Sequence, residues 1–174
     1  AIFVFVKVVD DKVYGQGKWS DDAVELYFHF GDSAIEEGAS NIWSQCRQGY
    51  HQVPLRVPTI TKSGGTACMT AGDRWESVQY AVARTPNGYQ LEAALPWDIF
   101  TDGDSTVVNP GLGDSFEMDV HVQDNDNEGA NHTRTSMYWS SQAHLFNADW
   151  SQNVGMVTLK EYVDIALDGE IDPI

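Results

Sequence analysis

The sequence predicts an all-β domain, an antiparallel β-sandwich of jelly-roll-like type and immunoglobulin-like size. Three observations predict it: apolar residues recur with a period of two in several short runs, turn-forming Gly, Asn and Asp residues separate those runs, and helix signals are nearly absent. Val24, Leu26, Phe28 and Phe30 alternate with Glu25, Tyr27 and His29, which puts the apolar four on one strand face and the polar three on the other. Phe116, Met118, Val120 and Val122 alternate in the same way with Glu117, Asp119, His121 and Gln123. Ile2 to Val9 reads as a further strand, with Ile2 to Val6 a wholly apolar run that suits burial. Val78 to Arg84 and Tyr89 to Leu95 flank Thr85-Pro86-Asn87-Gly88, a strong hairpin signal. Thr133 to Trp139 and Val154 to Lys160 close the set. Gly31 to Asp73 has weak periodicity and reads as long loops with one strand around Gln52 to Val57. Pro96 opens the one short helical turn expected, over Pro96 to Phe100.

Composition bounds the function. The 174 residues suit one domain, and the hydrophobic content of 42% is ordinary for a globular chain. No apolar run approaches the roughly 20 residues of a membrane-spanning helix. The chain opens inside a strand with no basic leader, which suggests a mature fragment or a domain of something longer. Ten Lys plus Arg against 26 Asp plus Glu give a net charge of −16 and a pI near 4.3. Nucleic acid needs a basic footprint, and an anionic membrane surface repels this charge, so neither is expected as a partner. A neutral ligand or a divalent cation fits better. Cys46 and Cys68 lack zinc-ligand spacing, and a single disulfide between them is left open.

Six tryptophans, at 19, 43, 75, 97, 139 and 150, are many for this length. Trp97 and Trp139 adjoin apolar strands and are expected in the core. Trp19 and Trp150 sit in polar loops, where an indole packs back on the domain or offers flat apolar surface to a ligand. Pyranoses need such a surface, plus fixed hydrogen-bonding groups for their hydroxyls. The acidic run Asp124-Asn125-Asp126-Asn127-Glu128-Gly129 lacks EF-hand spacing and reads first as a solvated turn, while calcium somewhere in so acidic a chain is compatible with its composition. Glu117 and Asp119 resemble part of the Glu-x-Asp-x-x-Glu strand of jelly-roll glycosidases. Val122 stands where the third carboxylate belongs, so a β-sandwich glycoside hydrolase or lyase is the weaker alternative. A haem- or metal-binding sandwich using Met118, Met137 or histidines is weaker still, because Met118 falls on the apolar face.

The segments Phe3 to Asp10, Trp19 to Phe28, Gly88 to Trp97, Phe116 to Asp126, Arg134 to Trp139 and Gly155 to Leu159, in that order, resemble family 9 carbohydrate-binding modules over most of residues 1–160. The resemblance implies a non-catalytic antiparallel β-sandwich, often with structural calcium. It implies binding of glucose- and xylose-based chains, in some members at their reducing ends, with the sugar between two tryptophans. By motif position these are Trp19, before the Asp-Asp-Ala-Val-Glu strand, and Trp150, before the last strand. The polar partners carry over onto Glu25, His121, Gln123, Arg134 and Asn147. A strand arginine carries over onto Arg56, with Gln52 the alternative register. His121 stands where the family pattern suggests an amide. The family's opening strands have no counterpart before Phe3, whereas Ile165 to Ile174 resembles such an opening, as in a tandem array. Residues 1–160 are therefore expected to form the sandwich, and 161–174 a linker or the start of a following similar module. A secreted setting is implied, with polysaccharide or oligosaccharide as partner and a covalently linked catalytic domain such as a xylanase.

Overall fold

The computed structural model describes residues 1–15, 21–31, 49–56, 77–102, 106–126, 135–139 and 155–160; Cys46, Cys68, Trp43, Trp75 and residues 161–174 lie outside the described residues. Among the described residues eight strands follow in order: β1 (Ile2–Val9), β2 (Ala23–His29), β3 (Tyr50–Arg56), β4 (Gln79–Thr85), β5 (Gly88–Leu95), β6 (Ser115–Asp124), β7 (Thr135–Tyr138) and β8 (Gly155–Thr158). The expected helical turn is a single 3-10 turn over Trp97–Ile99, entered through Pro96. One sheet has the order β1-β5-β4, and the other β3-β2-β6-β7 with β8 also on β6. Every pairing is antiparallel. β2 pairs with residues 117–123 of β6, so β7 (on 121–124) and β8 (on 115–118) share its other edge.

The core follows the period-two pattern. Val24, Leu26 and Phe28 of β2, Val53 and Leu55 of β3 and Leu91 and Leu95 of β5 are all buried between the sheets. Phe28, Phe30, Phe100 and Phe116 form one aromatic cluster, with ring centroids 4.9 Å apart for Phe28–Phe100 and 5.0 Å for Phe30–Phe116. Trp97 packs against that cluster, as its sequence context predicts. His51 falls in the apolar row of β3, yet its Nε2 lies 3.1 Å from the Thr101 amide nitrogen and 2.7 Å from the Thr101 carbonyl oxygen, so it is buried with a polar partner.

Two expectations are corrected. Ile2 to Val6 is not a buried run: Phe3 is 83% and Phe5 62% exposed. β1 is the last strand of its sheet, with Ile2, Val4 and Val6 packed on the core and Phe3 and Phe5 on the opposite face. Trp139 is not a core residue but 59% exposed. It follows the short edge strand β7 and lies against Gly155 of β8, where its ring covers the glycine.

The hairpin closes one residue earlier than the Asn-Gly signal suggests. Thr85 pairs with Gly88, leaving Pro86 and Asn87 as the loop. Gly88 belongs to β5 and has φ +139°, and a Cβ on it would sit 2.1 Å from the Val8 carbonyl oxygen. Glycine is required there because β1 approaches too closely for a side chain.

Candidate functional site

On β6 burial is inverted. Asp119, His121 and Gln123 expose 1% or less, whereas Met118, Val120 and Val122 are only half-buried. On β2 both faces are buried, including Glu25, Tyr27 and His29. The polar face of the five-stranded sheet is therefore a second, hydrogen-bonded interior rather than a wet surface.

The register explains why this is tolerable. β2 carries Glu25-x-Tyr27-x-His29 and β6 carries Glu117-x-Asp119-x-His121. Antiparallel pairing sets Glu25 opposite His121, Tyr27 opposite Asp119 and His29 opposite Glu117. Each carboxylate thus meets the other strand's imidazole. His29 Nδ1 lies 2.6 Å from Glu117 Oε2, and His121 Nδ1 lies 3.4 Å from Glu25 Oε2. Buried charges persist only when paired and hydrogen-bonded. The Tyr27 hydroxyl donates to Glu25 Oε2 at 2.7 Å, and Gln123 Nε2 donates to the same oxygen at 3.3 Å. The Gln123 amide nitrogen is also 3.2 Å from both ring nitrogens of His121.

The structure thus brings together three of the residues that the resemblance singles out: Glu25, His121 and Gln123. Position 56 pairs with Ala23 and position 52 with Tyr27. Both Arg56 and Gln52 therefore occupy register positions on the same sheet face as Glu25. Trp19, Trp150, Arg134 and Asn147 lie outside the described residues. Sequence reasoning missed the His29–Glu117 pair and the role of Tyr27. The signal was present in the repeated Glu-x-x-x-His spacing of two strands, which antiparallel pairing turns into two matched carboxylate–imidazole pairs. Glu117, the candidate carboxylate of the hydrolase alternative, is held by His29, and Asp119 is fully buried with its Oδ1 accepting the Val120 N–H at 2.8 Å.

A second cluster forms at one end of the sandwich. Asp10 follows β1, Asp124 ends β6 and Asp126 lies just beyond, and one carboxylate oxygen from each lies within 4.8 Å of the others. Asp124 Oδ1 is buried without a hydrogen-bond partner. Burial first, and then the charges of Asp126, Asp10 and Asp11, push the Asp124 carboxyl above the usual carboxylate range. Nearby, Asp22 is fully buried and accepts backbone N–H groups from Tyr14 and from Asn125, the latter at 2.7 Å. Its burial outweighs those two hydrogen bonds and, with the charges of Asp10 and Asp124, pushes its pKa up to about 6. Burial and the same acidic groups push the Tyr89 phenol well above its ordinary value. The donor set, all oxygen from two chain segments, fits calcium. Sequence reasoning saw Asp124 and Asp126 but not Asp10, which β1 brings from far away in the chain.

Two antiparallel sheets, with polar groups gathered on one face of the larger, define a β-sandwich binding domain. The chain belongs to the carbohydrate family 9 binding domain-like family, whose model matches residues 1–162, and that family is one of non-catalytic carbohydrate-binding modules. Its fold is similar to that of a family 9 carbohydrate-binding module from Caldicellulosiruptor kristjanssonii, solved in complex with cellotriose and with glucose. Both structures match with a TM-score of 0.53 and 15% identity, over 98% of this chain and 74% of the other. No curated protein matches the sequence.

Proposed function

We propose that this module binds neutral β-linked glucan or xylan chains, or their reducing ends, and keeps an attached hydrolase of a secreted protein close to its polysaccharide. The observation that carries the reading is the joined cluster of Glu25, His121 and Gln123 on one sheet face, in a chain of the carbohydrate-binding family 9. A sugar ring stacks between Trp19 and Trp150, and Glu25, His121 and Gln123 bond its hydroxyls together with Arg56, Arg134 and Asn147. Stacking supplies apolar contact, and the polar groups fix orientation. The net charge of −16 favours a neutral ligand over an anionic one. Glu25 and His121 side chains expose only 4% and 1%, so the ligand reaches them by taking the place of protein atoms that cover them. Tethering raises the effective concentration of the attached enzyme at its substrate.

The module's resident cation in this reading is calcium, held by Asp10, Asp124 and Asp126. Bound there, it neutralises three converging carboxylates and ties the end of β1 to the end of β6. The cluster geometry and the orphaned Asp124 Oδ1 support it.

The test is titration of cellotriose, glucose and xylobiose into the protein, followed by tryptophan fluorescence and calorimetry. Saturable binding, weakened at least about tenfold by Glu25→Gln and by Trp150→Ala, is the expected result; a tenfold loss corresponds to about 1.4 kcal/mol. Absence of binding to all three sugars by the parent protein overturns the reading.

A further inference from the structure

We infer that the sandwich has a docking edge for one added β-strand: an extended polypeptide segment with apolar residues at alternate positions, laid antiparallel along the free side of β1 and over β7. The partner is a polypeptide rather than a sugar, so the inference goes beyond the carbohydrate-binding reading.

Two observations converge on that place. First, β1 ends its sheet, with β5 on one side and no strand on the other among the described residues. The Asp10 N–H donates to the Asn87 carbonyl at 3.0 Å, continuing the β1–β5 register. Bonded pairs alternate along an antiparallel ladder. The even residues of β1 therefore bond to β5, and the N–H and C=O groups of Phe3, Phe5, Lys7 and Val9 point away from it. Such a row is a template for another strand. Second, the larger sheet continues past β1. Carboxylate oxygens of Asp10, Asp124 and Asp126 lie within 4.8 Å of one another, and Lys12 Nζ donates to the Asp126 carbonyl at 2.7 Å, so β1 lies over the end of β6. Val24, Leu26 and Phe28 of β2 are fully buried, which puts β5 over β2. β7 pairs with the other edge of β6, beyond the cover of the smaller sheet. Met137 pairs with Val122, and the Trp139 N–H donates to the Val120 carbonyl at 2.9 Å. Met137 and Trp139 thus share the core-facing side of Val120 and Val122, yet expose 55% and 59%.

The step between the two sheets is one strand wide. Neighbouring strands lie about 4.8 Å apart, so a segment bonded to β1 sits above β7. Its inward side chains cover Met137 and Trp139, and its outward ones stand beside Phe3 and Phe5, which are 83% and 62% exposed. A second copy of the sandwich does not fit. Paired β1 to β1, it would bring its own β6 into the place that β7 holds. A lone strand has no second layer to collide. The half-burial of Val120 and Val122 has the same cause, because no strand closes the core on the free side of β1 among the described residues. The geometry also fixes which residues of the added strand bond to β1: those opposite Phe3, Phe5, Lys7 and Val9, whose side chains point outward.

The probe is a capped peptide of alternating valine and threonine with a lysine at each end, titrated into the full chain and followed by NMR and amide hydrogen exchange. Saturable binding is expected to slow exchange at Phe3, Phe5, Lys7 and Val9 by at least about tenfold and to shift the Trp139 indole resonance, with the amides of β4 unchanged. Valines face inward in the bound peptide, so threonines carry its bonds to β1. N-methylation of the threonines should weaken binding at least about tenfold, and N-methylation of the valines should leave it within about threefold. Trp139→Ala should weaken the unmodified peptide about three- to tenfold. Absence of binding, protection along β4 instead of β1, or equal sensitivity to the two methylations overturns the inference. A parent chain that sediments as a dimer with its β1 amides already protected overturns it in favour of a second copy.

Discussion

Glu25 on β2 and His121 on β6 face each other across the sheet with 3.4 Å between carboxylate and imidazole, both almost wholly removed from solvent. The same oxygen of Glu25 also serves Tyr27 and Gln123. Removing that acceptor takes one partner from each of three buried polar groups at once, and a buried hydrogen bond left unmade is costly. Glu25→Ala is therefore expected to destabilise the fold by about 3 kcal/mol. Glu25→Gln, which keeps an oxygen in place, is expected to cost less. Urea denaturation of the two variants checks the order. Equal losses would mean that the negative charge, absent from both variants, is what Glu25 supplies, not its shape or a retained acceptor oxygen.

Gly88 and Gly155 are both covered by neighbours, but by different kinds. At Gly88 the obstacle is the Val8 carbonyl, which is backbone, and φ is +139°. At Gly155 the nearest atoms are ring carbons of Trp139, 2.7 and 2.9 Å from a built Cβ, on a side chain that is 59% exposed, and the nearest backbone atom, the Met118 carbonyl oxygen, is farther off at 3.2 Å. Gly88→Ala is expected to cost about 3 kcal/mol or more, and Gly155→Ala below about 1 kcal/mol. Thermal or urea melts of the two single variants measure the contrast, and a comparable loss at both sites would show that Trp139 is held as firmly as the backbone.

The sequence carried the strands and the inner faces because alternation is a local signal: Val24, Leu26 and Phe28 announce one face without reference to any other strand. Tertiary position is a different matter. Phe3 and Trp139 are as apolar as core residues, and nothing local told that β1 and β7 lie at sheet edges. The inversion on β6 was hidden for the same reason, since an alternating Asp119, His121, Gln123 row looks solvated until β2 supplies the matching partners. The site was legible in part. Family motif order pointed to Glu25, His121 and Gln123 individually, but only the register shows that they share one oxygen. Asp10 was out of reach because its partners lie more than a hundred residues later in the chain.

Calcium is expected to stabilise the protein through the carboxylates of Asp10, Asp124 and Asp126. Three like charges within 4.8 Å repel, and a divalent cation converts that repulsion into attraction. At a calcium concentration about a hundredfold above Kd, linkage gives about 2.7 kcal/mol. In a domain of this size that corresponds to a rise in Tm of about 5 to 10 °C. Thermal melts in calcium and in EDTA test this, and Asp124→Asn should remove most of the difference. An unchanged Tm on calcium addition would assign the cluster to simple surface charge.

The pH dependence of stability should carry the mark of Asp22. Its folded pKa of about 6 lies above the roughly 3.9 of an unfolded aspartate, so between those values the folded state holds a proton that the unfolded state has released. Stability from this group is greatest below about pH 4, falls as pH rises through the window, and levels off above about pH 6, with a total change on the order of 3 kcal/mol. Most carboxylates that are paired in a native state give the opposite slope, so the Asp22 contribution is isolated by comparison with Asp22→Asn, in which the downward slope should vanish. The measurement belongs in EDTA. Asp10 and Asp124 contribute to the upward shift, and a cation bound between them would cancel their charge and lower the Asp22 pKa. Saturating calcium should therefore flatten the slope in the parent protein and leave the variant unaffected. A parent whose stability rises steadily from pH 4 to pH 7 in EDTA, parallel to the variant, would show that Asp22 ionises in the fold as freely as in water.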